Sequence, residues 1–318
     1  MKYVYLDQNI LDQMVKNDPN RIKKTIETSN FQVLYSIETL KEIHRCKHTN
    51  KMEYLNLLDE LNAQLMTHIN SGNDRQAWVR EDGKSAKDAY EFENQNGTFD
   101  EDINFPIFIQ KRLLGSLKRE DEAELIPKLI NDFEALIDDS TERDKTIEKF
   151  RGYLNSICER IHSEEESRLK NRSDINSLIA LFKSEVSQSK LRDFKRPVIE
   201  EILKHFNKLQ DNRDDENYID LELVLGIFEQ NNKSDYWPML MSAYTTLGNL
   251  GYWGEKQLLH KDNKLEAAQS DSYHLIWASY CDICFSGDER FVYKSRAIYD
   301  YFDIKTVVIY CNPQLVGR

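Results

Sequence analysis

The stretch YVYLDQNIL at residues 3–11 places a short apolar run of β-forming residues directly before a carboxylate, Asp7. The apolar residues 3–6 predict a strand, and residues 9–16 predict a helix that Asp18-Pro19 ends. A carboxylate at this junction lies at the carboxyl end of a strand, which is where open α/β sheets carry their chemistry.

The same alternation of strands and helices recurs at both ends of the chain. Ser36 is expected to cap the helix that follows the second strand. The predicted elements are a helix at 19–28, a strand at 31–35, a helix at 37–45, a helix at 271–281, a strand at 282–286, a helix at 289–300 and a strand at 305–310. Strands that alternate with helices and read as continuous apolar runs predict a parallel sheet flanked by helices, an α/β fold.

The middle of the chain differs from the ends, and residues 49–261 are predicted to be a large all-helical insertion. Residues 71–104 are polar and are interpreted as a long loop. The helical segments are predicted at 50–70, 106–116, 121–137, 142–170, 174–190, 195–210 and 217–230. Residues 1–48 and 262–318 are therefore predicted to form one α/β domain in two halves.

The net charge of −12 is spread unevenly. Residues 1–45 carry seven basic and six acidic side chains, and residues 270–318 carry five and six, so the negative charge lies in the middle. A protein that holds nucleic acid over a broad face is usually basic, so the charge argues against an extended nucleic-acid platform. It does not exclude an acidic site that works through a bound metal ion.

Cysteine usage and hydropathy predict a cytoplasmic protein with no membrane partner. Five widely spaced cysteines, an odd number, argue against a disulfide scaffold and for a reducing compartment. No apolar run approaches the roughly 18 residues that a membrane span needs. The Cys281-x-x-Cys284 pair is interpreted as core packing.

Four carboxylates fall where an α/β enzyme places its site. Asp7 follows the first strand, Glu42 lies in the helix after the second, Asp271 is predicted to open a helix, and Asp288 follows the strand at 282–286. Clustered carboxylates repel one another unless a cation intervenes, and hard oxygen ligands suit Mg²⁺ or Mn²⁺. The pattern predicts a four-carboxylate metal site.

These residues carry a resemblance to a known family. The opening YLDQNIL resembles the first motif of PIN-like nucleases, a strand followed by Asp-x-Asn. Ser36 with Glu42 six residues later resembles the second motif. Asp271 followed by Ser286-Gly287-Asp288 resembles the paired acidic motifs of the C-terminal half. The resemblance covers about 45 residues at one end and about 50 at the other.

The resemblance implies a metal-dependent endonuclease, an endoribonuclease in preference to a deoxyribonuclease, with Asp7, Glu42, Asp271 and Asp288 as catalytic metal ligands. Asn9 and Ser286 would orient the cluster, and Glu38, one helical turn before Glu42, is the alternative ligand. It also implies a toxin-like or anti-phage role.

Two other functions and several other side chains stay open. A PIN-like scaffold without activity could bind a protein partner through the insertion, which could also mediate self-association. A phosphatase of the haloacid-dehalogenase type needs an Asp where this chain has Asn9.

His274 and five aromatic residues are expected to pack rather than bind. Three basic residues could contact phosphates or be plain surface. The aromatic residues are Tyr236, Trp237, Tyr244, Tyr252 and Trp253; the basic residues are Arg290, Lys294 and Arg296.

Overall fold

The structure is a computed structural model that forms two compact units. It describes residues 2–46, 50–71, 74–79, 83–99, 119–135, 143–163, 179–211, 236–254 and 262–312. The first unit comprises residues 1–99, 182–255 and 267–318, and the second comprises residues 100–181 and 256–266. Among the described residues, no helix combines the length and the apolar character that crossing a membrane requires.

A six-stranded sheet organises the first unit. The strands are β1 (Lys2–Leu6), β2 (Phe31–Tyr35), β3 (Gln64–Ser71), β4 (Asp74–Val79), β5 (Ile283–Ser286) and β6 (Val307–Tyr310). Their order across the sheet is β4-β3-β2-β1-β5-β6. Five strands pair in parallel, and β4 extends the edge by pairing with β3 in the antiparallel direction. The predicted α/β class with a parallel sheet is confirmed.

The described helices lie between the strands of the first unit and in the second unit. They are α1 (Gln8–Lys16), α2 (Ile22–Ser29), α3 (Ile37–Arg45), α4 (Lys51–Glu60), α5 (Ala86–Gln95), α6 (Arg119–Ala135), α7 (Arg143–Ser163), α8 (Gln188–Arg192), α9 (Val198–Asp211), α10 (Tyr236–Leu250), α11 (Asp262–Ala278) and α12 (Glu289–Tyr301). Residues 179–185 are also helical. In the second unit, α6 and α7 share an apolar cluster of Leu129, Ile130, Ile147 and Leu154.

Strand β1 lies at the centre of the sheet because its apolar residues are buried on both faces. Val4, Tyr5 and Leu6 are all at most 1% exposed. A continuous apolar run of this kind is typical of an interior parallel strand. The strand pairs with β2 on one side and with β5, from the far end of the chain, on the other.

This order creates a topological switch point at the carboxyl end of β1. From β1 the chain runs outward through β2 to β3, and it later returns to the opposite side of β1 as β5 and β6. The register pairs Leu6 with Phe285 and Ser286 with Tyr310, so β1, β5 and β6 end at the same level. Open α/β sheets bind ligands in the crevice at such a point.

The predicted all-helical character of the middle is wrong at residues 64–71 and 74–79, which form β3 and β4. Helix α4 ends early because Asn62 adopts a left-handed backbone, φ 47°. The following residues then pair with the open edge of β2, where Tyr35 lies opposite Leu65. Burial of Leu65 and Met66 in this pairing outweighs the helical tendency of the segment.

Other predictions for the middle have mixed outcomes. Residues 86–95 form α5 within the segment interpreted as a loop. The predicted helices at 106–116 and 217–230 lie outside the described residues. Residues 51–99 and 182–255 belong to the same compact unit as both ends of the chain. A separate insertion domain over 49–261 stays a prediction.

Candidate metal centre

Asp7 stands at the switch point with its carboxylate held by two neighbours. Its backbone N–H donates to the Phe285 carbonyl at 3.1 Å, which fixes it beside β5. Its Oδ2 accepts hydrogen bonds from Asn9 Nδ2 at 2.7 Å and from Ser286 Oγ at 2.5 Å. Burial raises the pKa of this carboxyl, with Glu42 adding to the rise, because the charged form loses hydration. Asp7 Oδ1 receives no hydrogen bond from the described residues and is the atom left for a ligand.

The turn after β5 is built around a glycine that cannot be replaced without movement. The Gly287 N–H donates to Asn9 Oδ1 at 2.6 Å. A Cβ atom at Gly287 would lie 2.6 Å from Gln13 Nε2 and 3.0 Å from Asn9 Oδ1. A side chain here would therefore push away the amide that holds Asp7.

Helix α3 delivers Glu42 to the same edge. A capping box at Ser36 and Thr39 fixes the start of this helix directly after β2. Glu42 Oε2 lies 3.1 Å from His274 Nε2, and Glu42 Oε1 accepts from Ser270 Oγ at 3.2 Å. Burial works to raise the pKa of this carboxyl, but His274 and the other partners outweigh it and the pKa is lowered.

Glu38 is held away from that position by its own partners. Its Oε1 accepts from Arg45 Nη2 at 2.9 Å and from Ser270 Oγ at 2.7 Å. Arg45 neutralises Glu38, whereas Glu42 faces His274. The geometry thus brings Glu42, and not its alternative Glu38, to the side of Asp7.

His274 is a fully buried imidazole that lies between a tyrosine and two carboxylates. Its Nδ1 lies 2.7 Å from the Tyr5 hydroxyl, which in turn lies 2.8 Å from Ser36 Oγ. Burial works to lower the pKa of His274, but Tyr5, Glu42 and Asp7 raise it well above its usual value. Its Nε2 lies 3.1 Å from Glu42 Oε2, and this contact contributes to the raised pKa.

The donor set of Asp7, Glu42 and His274 fits a divalent ion. One ligand atom from each of the three lies within 4.8 Å of the others. Donors on opposite sides of one ion are about 4 Å apart, so a small side-chain movement lets all three reach it. If Nδ1–H donates to the Tyr5 hydroxyl, Nε2 would have its lone pair available for an ion, which is the usual arrangement of a metal-bound histidine.

Asp271 forms a second acidic position beside Asp7. Its Oδ2 accepts from the Tyr244 hydroxyl at 2.8 Å. Burial raises the pKa of Asp271 to about 7; Lys294 opposes this rise, and Asp288 and Asp7 add to it. The four predicted carboxylates therefore interact as a chain, from Glu42 through Asp7 to Asp271 and Asp288.

Asp288 combines two roles. It is the N-cap of α12, where its Oδ1 accepts from the backbone N–H of Arg290 at 2.7 Å and of Phe291 at 3.2 Å. Its own N–H donates to Ser286 Oγ at 3.0 Å. Within the described residues its Oδ2 has no hydrogen bond, so the capping role of Asp288 uses only one of its two carboxylate oxygens.

The prediction that Asp271 opens a helix is wrong. Helix α11 begins at Asp262, more than two turns earlier. Residues 262–270 contain Leu, Glu and two Ala, which are strong helix formers, and no breaker. Asp271 is therefore held by an established helix and needs no capping role.

The three basic residues of α12 divide between surface and interior. Arg290 is exposed, whereas Arg296 Nε donates to the Val308 carbonyl at 2.9 Å. Lys294 is only 4% exposed, so it is not surface. The two cysteines Cys281 and Cys284 are free and buried, as expected for core packing.

Three residues of the site were assigned elsewhere by sequence reasoning. The sequence predicts that His274 and Tyr244 pack rather than bind, and it leaves Lys294 open between a phosphate contact and plain surface. The available signal was the spacing Asp271-x-x-His274, since residues three apart share one face of a helix. If Asp271 faces the site, His274 lies on the same face of the helix and is directed to the site as well.

No protein-family model, no curated protein and no solved structure matches this chain. The chemistry of the site therefore rests on its own side chains and their contacts.

Proposed function

We propose that the protein is a metal-dependent nuclease that holds a divalent ion at Asp7, Glu42 and His274. The observation that carries the proposal is the convergence of three ligand atoms within 4.8 Å of one another, from Asp7, Glu42 and the buried His274, whose Nε2 lies 3.1 Å from Glu42 Oε2. Carboxylates that lie this close together favour a cation between them, and a divalent ion would supply that charge. A donor set of one imidazole and two carboxylates suits Mn²⁺ better than Mg²⁺.

The surrounding residues have distinct tasks in hydrolysis of a phosphodiester. A divalent ion held by Asp7, Glu42 and His274 would lower the pKa of a bound water, so that hydroxide is available as the nucleophile, and would stabilise the charge on the phosphate. Asn9 and Ser286 hold Asp7 Oδ2, so that Oδ1 keeps one direction. Asp271, with a pKa of about 7, is suited to accept a proton at its Oδ1 at neutral pH. Asp288 adds a negative charge that acts on Asp271.

The resemblance of the four motifs to PIN-like nucleases supports RNA over DNA as the substrate. It also supports a toxin-like or anti-phage setting in a reducing cytosol, which suits the free thiols of the described cysteines. We also propose that residues 49–261 bind either a protein partner or a second copy of this chain.

The proposal is tested by incubating the protein with labelled single-stranded RNA and DNA of equal sequence. We expect cleavage of RNA with Mn²⁺, slower cleavage with Mg²⁺ and none with EDTA. Calorimetry run in parallel measures Mn²⁺ binding without reference to activity. Absence of both cleavage and metal binding would refute the proposal and favour the scaffold function.

A basic and aromatic surface beside the site is suited to the phosphate backbone of the substrate. Residues 183–196 carry five basic and two acidic side chains in an otherwise acidic chain. The Arg192 guanidinium lies 4.1 Å from the centroid of the Trp253 ring, which stacks on Tyr293 of α12 at 4.3 Å with an interplanar angle of 2°. Tyr293 is five residues after Asp288, about 7.5 Å along the helix.

We expect Arg192→Glu to weaken binding of single-stranded RNA about tenfold at low salt and to reduce the salt dependence by about one phosphate contact. Fluorescence anisotropy in EDTA measures this without cleavage. Lys24→Glu, an equal charge change at an exposed position on α2, is the control. Equal weakening by both variants would show that only net charge matters and that this surface is not used.

A further inference from the structure

Lys294 places a buried positive charge within the acidic site. Its Nζ lies 3.6 Å from the centroid of the Tyr244 ring, and the hydroxyl of that tyrosine donates to Asp271. The residue is 4% exposed. An ammonium group taken out of water is costly unless negative charge lies close to it, so this lysine depends on the carboxylates around it.

The carboxylate that Lys294 acts on most directly is Asp271. After burial, Lys294 has the largest effect on the pKa of Asp271, larger than that of Asp288 or Asp7. Asp7 and Glu42 have His274 as their cationic neighbour instead. The site is thus divided into a lysine side with Asp271 and Asp288, and a histidine side with Asp7 and Glu42.

We propose that Lys294 is a built-in cation for the lysine side, so that the site holds one divalent ion, on the histidine side, and not two. This inference rests on the proposed function and specifies its metal content. When His274 binds the ion as a neutral ligand, four ionised carboxylates and Lys294 together carry three negative charges, which one divalent ion reduces to one. A second ion would leave the buried site with excess positive charge.

Geometry leads to the same conclusion. The two ions of a two-metal site lie about 3.5–4 Å apart and share carboxylates that lie between them. Here a second ion would need Asp271 and Asp288, and it would have to approach the ammonium group that lies over the ring of Tyr244, whose hydroxyl donates to Asp271. Like charges at such a distance in a poorly hydrated site repel strongly.

The inference is tested by counting bound Mn²⁺ per chain, using electron paramagnetic resonance of free Mn²⁺ together with calorimetry. We expect one ion for the wild type and one for Lys294→Arg, which keeps the charge. For Lys294→Met, which keeps the length and removes the charge, we expect two ions with the spin coupling of a close Mn²⁺ pair.

Each outcome separates this inference from the proposed function. A wild type that binds two spin-coupled ions would overturn the inference and leave the nuclease proposal intact. A folded Lys294→Met variant that still binds one ion would also overturn it. A wild type that binds no Mn²⁺ would overturn both. The wild-type count decides the matter even if Lys294→Met does not fold.

Discussion

Replacing Asp7 by asparagine is expected to lower the rate of RNA cleavage by about 10³-fold, equivalent to about 4 kcal/mol of transition-state stabilisation. The change removes one of two carboxylates from the metal donor set. Both hydrogen bonds to Asp7 reach the same oxygen, Oδ2, so an asparagine can place its amide oxygen there and keep both. The variant should therefore fold, and it should bind Mn²⁺ weakly.

The matched control is Asp282→Asn, at the opposite end of strand β5. Asp282 Oδ2 accepts from the Tyr3 N–H at 2.7 Å, a bond that asparagine also makes. Cleavage rates and calorimetric affinity for Mn²⁺ should match wild type in this control. Full activity in Asp7→Asn would remove Asp7 from the catalytic site, and equal losses in both variants would indicate a general effect of lost charge.

The metal-free protein is expected to be more stable at about pH 5 than at about pH 8. The folded pKa of Asp271 is about 7, well above its value of 3.8 in an unfolded chain. The stabilising contribution is therefore fully present below the unfolded pKa and is lost as pH rises through the folded pKa. Between about pH 5 and about pH 8 the loss corresponds to about 3 kcal/mol, because the unfolded carboxyl is already ionised at pH 5 and the folded one ionises about two pH units higher.

Other titrating groups of the site do not reverse this direction. The pKa of His274 is also raised, so its contribution is lost in the same sense as pH rises. The pKa of Glu42 is lowered, so its contribution is lost only at pH values below the window tested. Urea unfolding in EDTA at the two pH values measures the difference.

Asp271→Asn and added Mn²⁺ act as controls for the pH dependence. An asparagine cannot ionise, so this variant should lose much of the difference between the two pH values. Mn²⁺ should restore stability at about pH 8, because a cation offsets the repulsion among the carboxylates. A wild type that is more stable at the higher pH would contradict the burial of Asp271.

The central strands of the sheet and the positions of Asp7 and Glu42 in the candidate metal site follow from local patterns in the sequence. The apolar runs at residues 3–6 and 31–35 are short, β-rich and followed by polar residues, and both are strands. Ser36 is a helix cap whose box is visible in the sequence, so the position of Glu42 on α3 follows from spacing.

Two features that local sequence patterns do not predict, strand β3 and the burial of Lys294, depend on contacts between distant parts of the chain. Strand β3 forms because the edge of β2 is open to pairing, which no local pattern of residues 64–71 reveals. Lys294 is buried, and the ring of Tyr244 from another helix lies against its ammonium group. The sequence shows that Lys294 is a basic residue, whereas its burial depends on how distant helices pack around it.

The pairing of β1 with β5 has a consequence for the timing of activity. Asp7 and Ser286 are 279 residues apart, so most of the chain must leave the ribosome before these residues can meet. Contacts of such long range form late and slow the folding of a domain. A nascent chain that has only its first strands therefore lacks the contact between Asp7 and Ser286 and the His274 member of the candidate metal site. If the product is harmful to its own cell, the topology keeps it harmless until synthesis is almost finished.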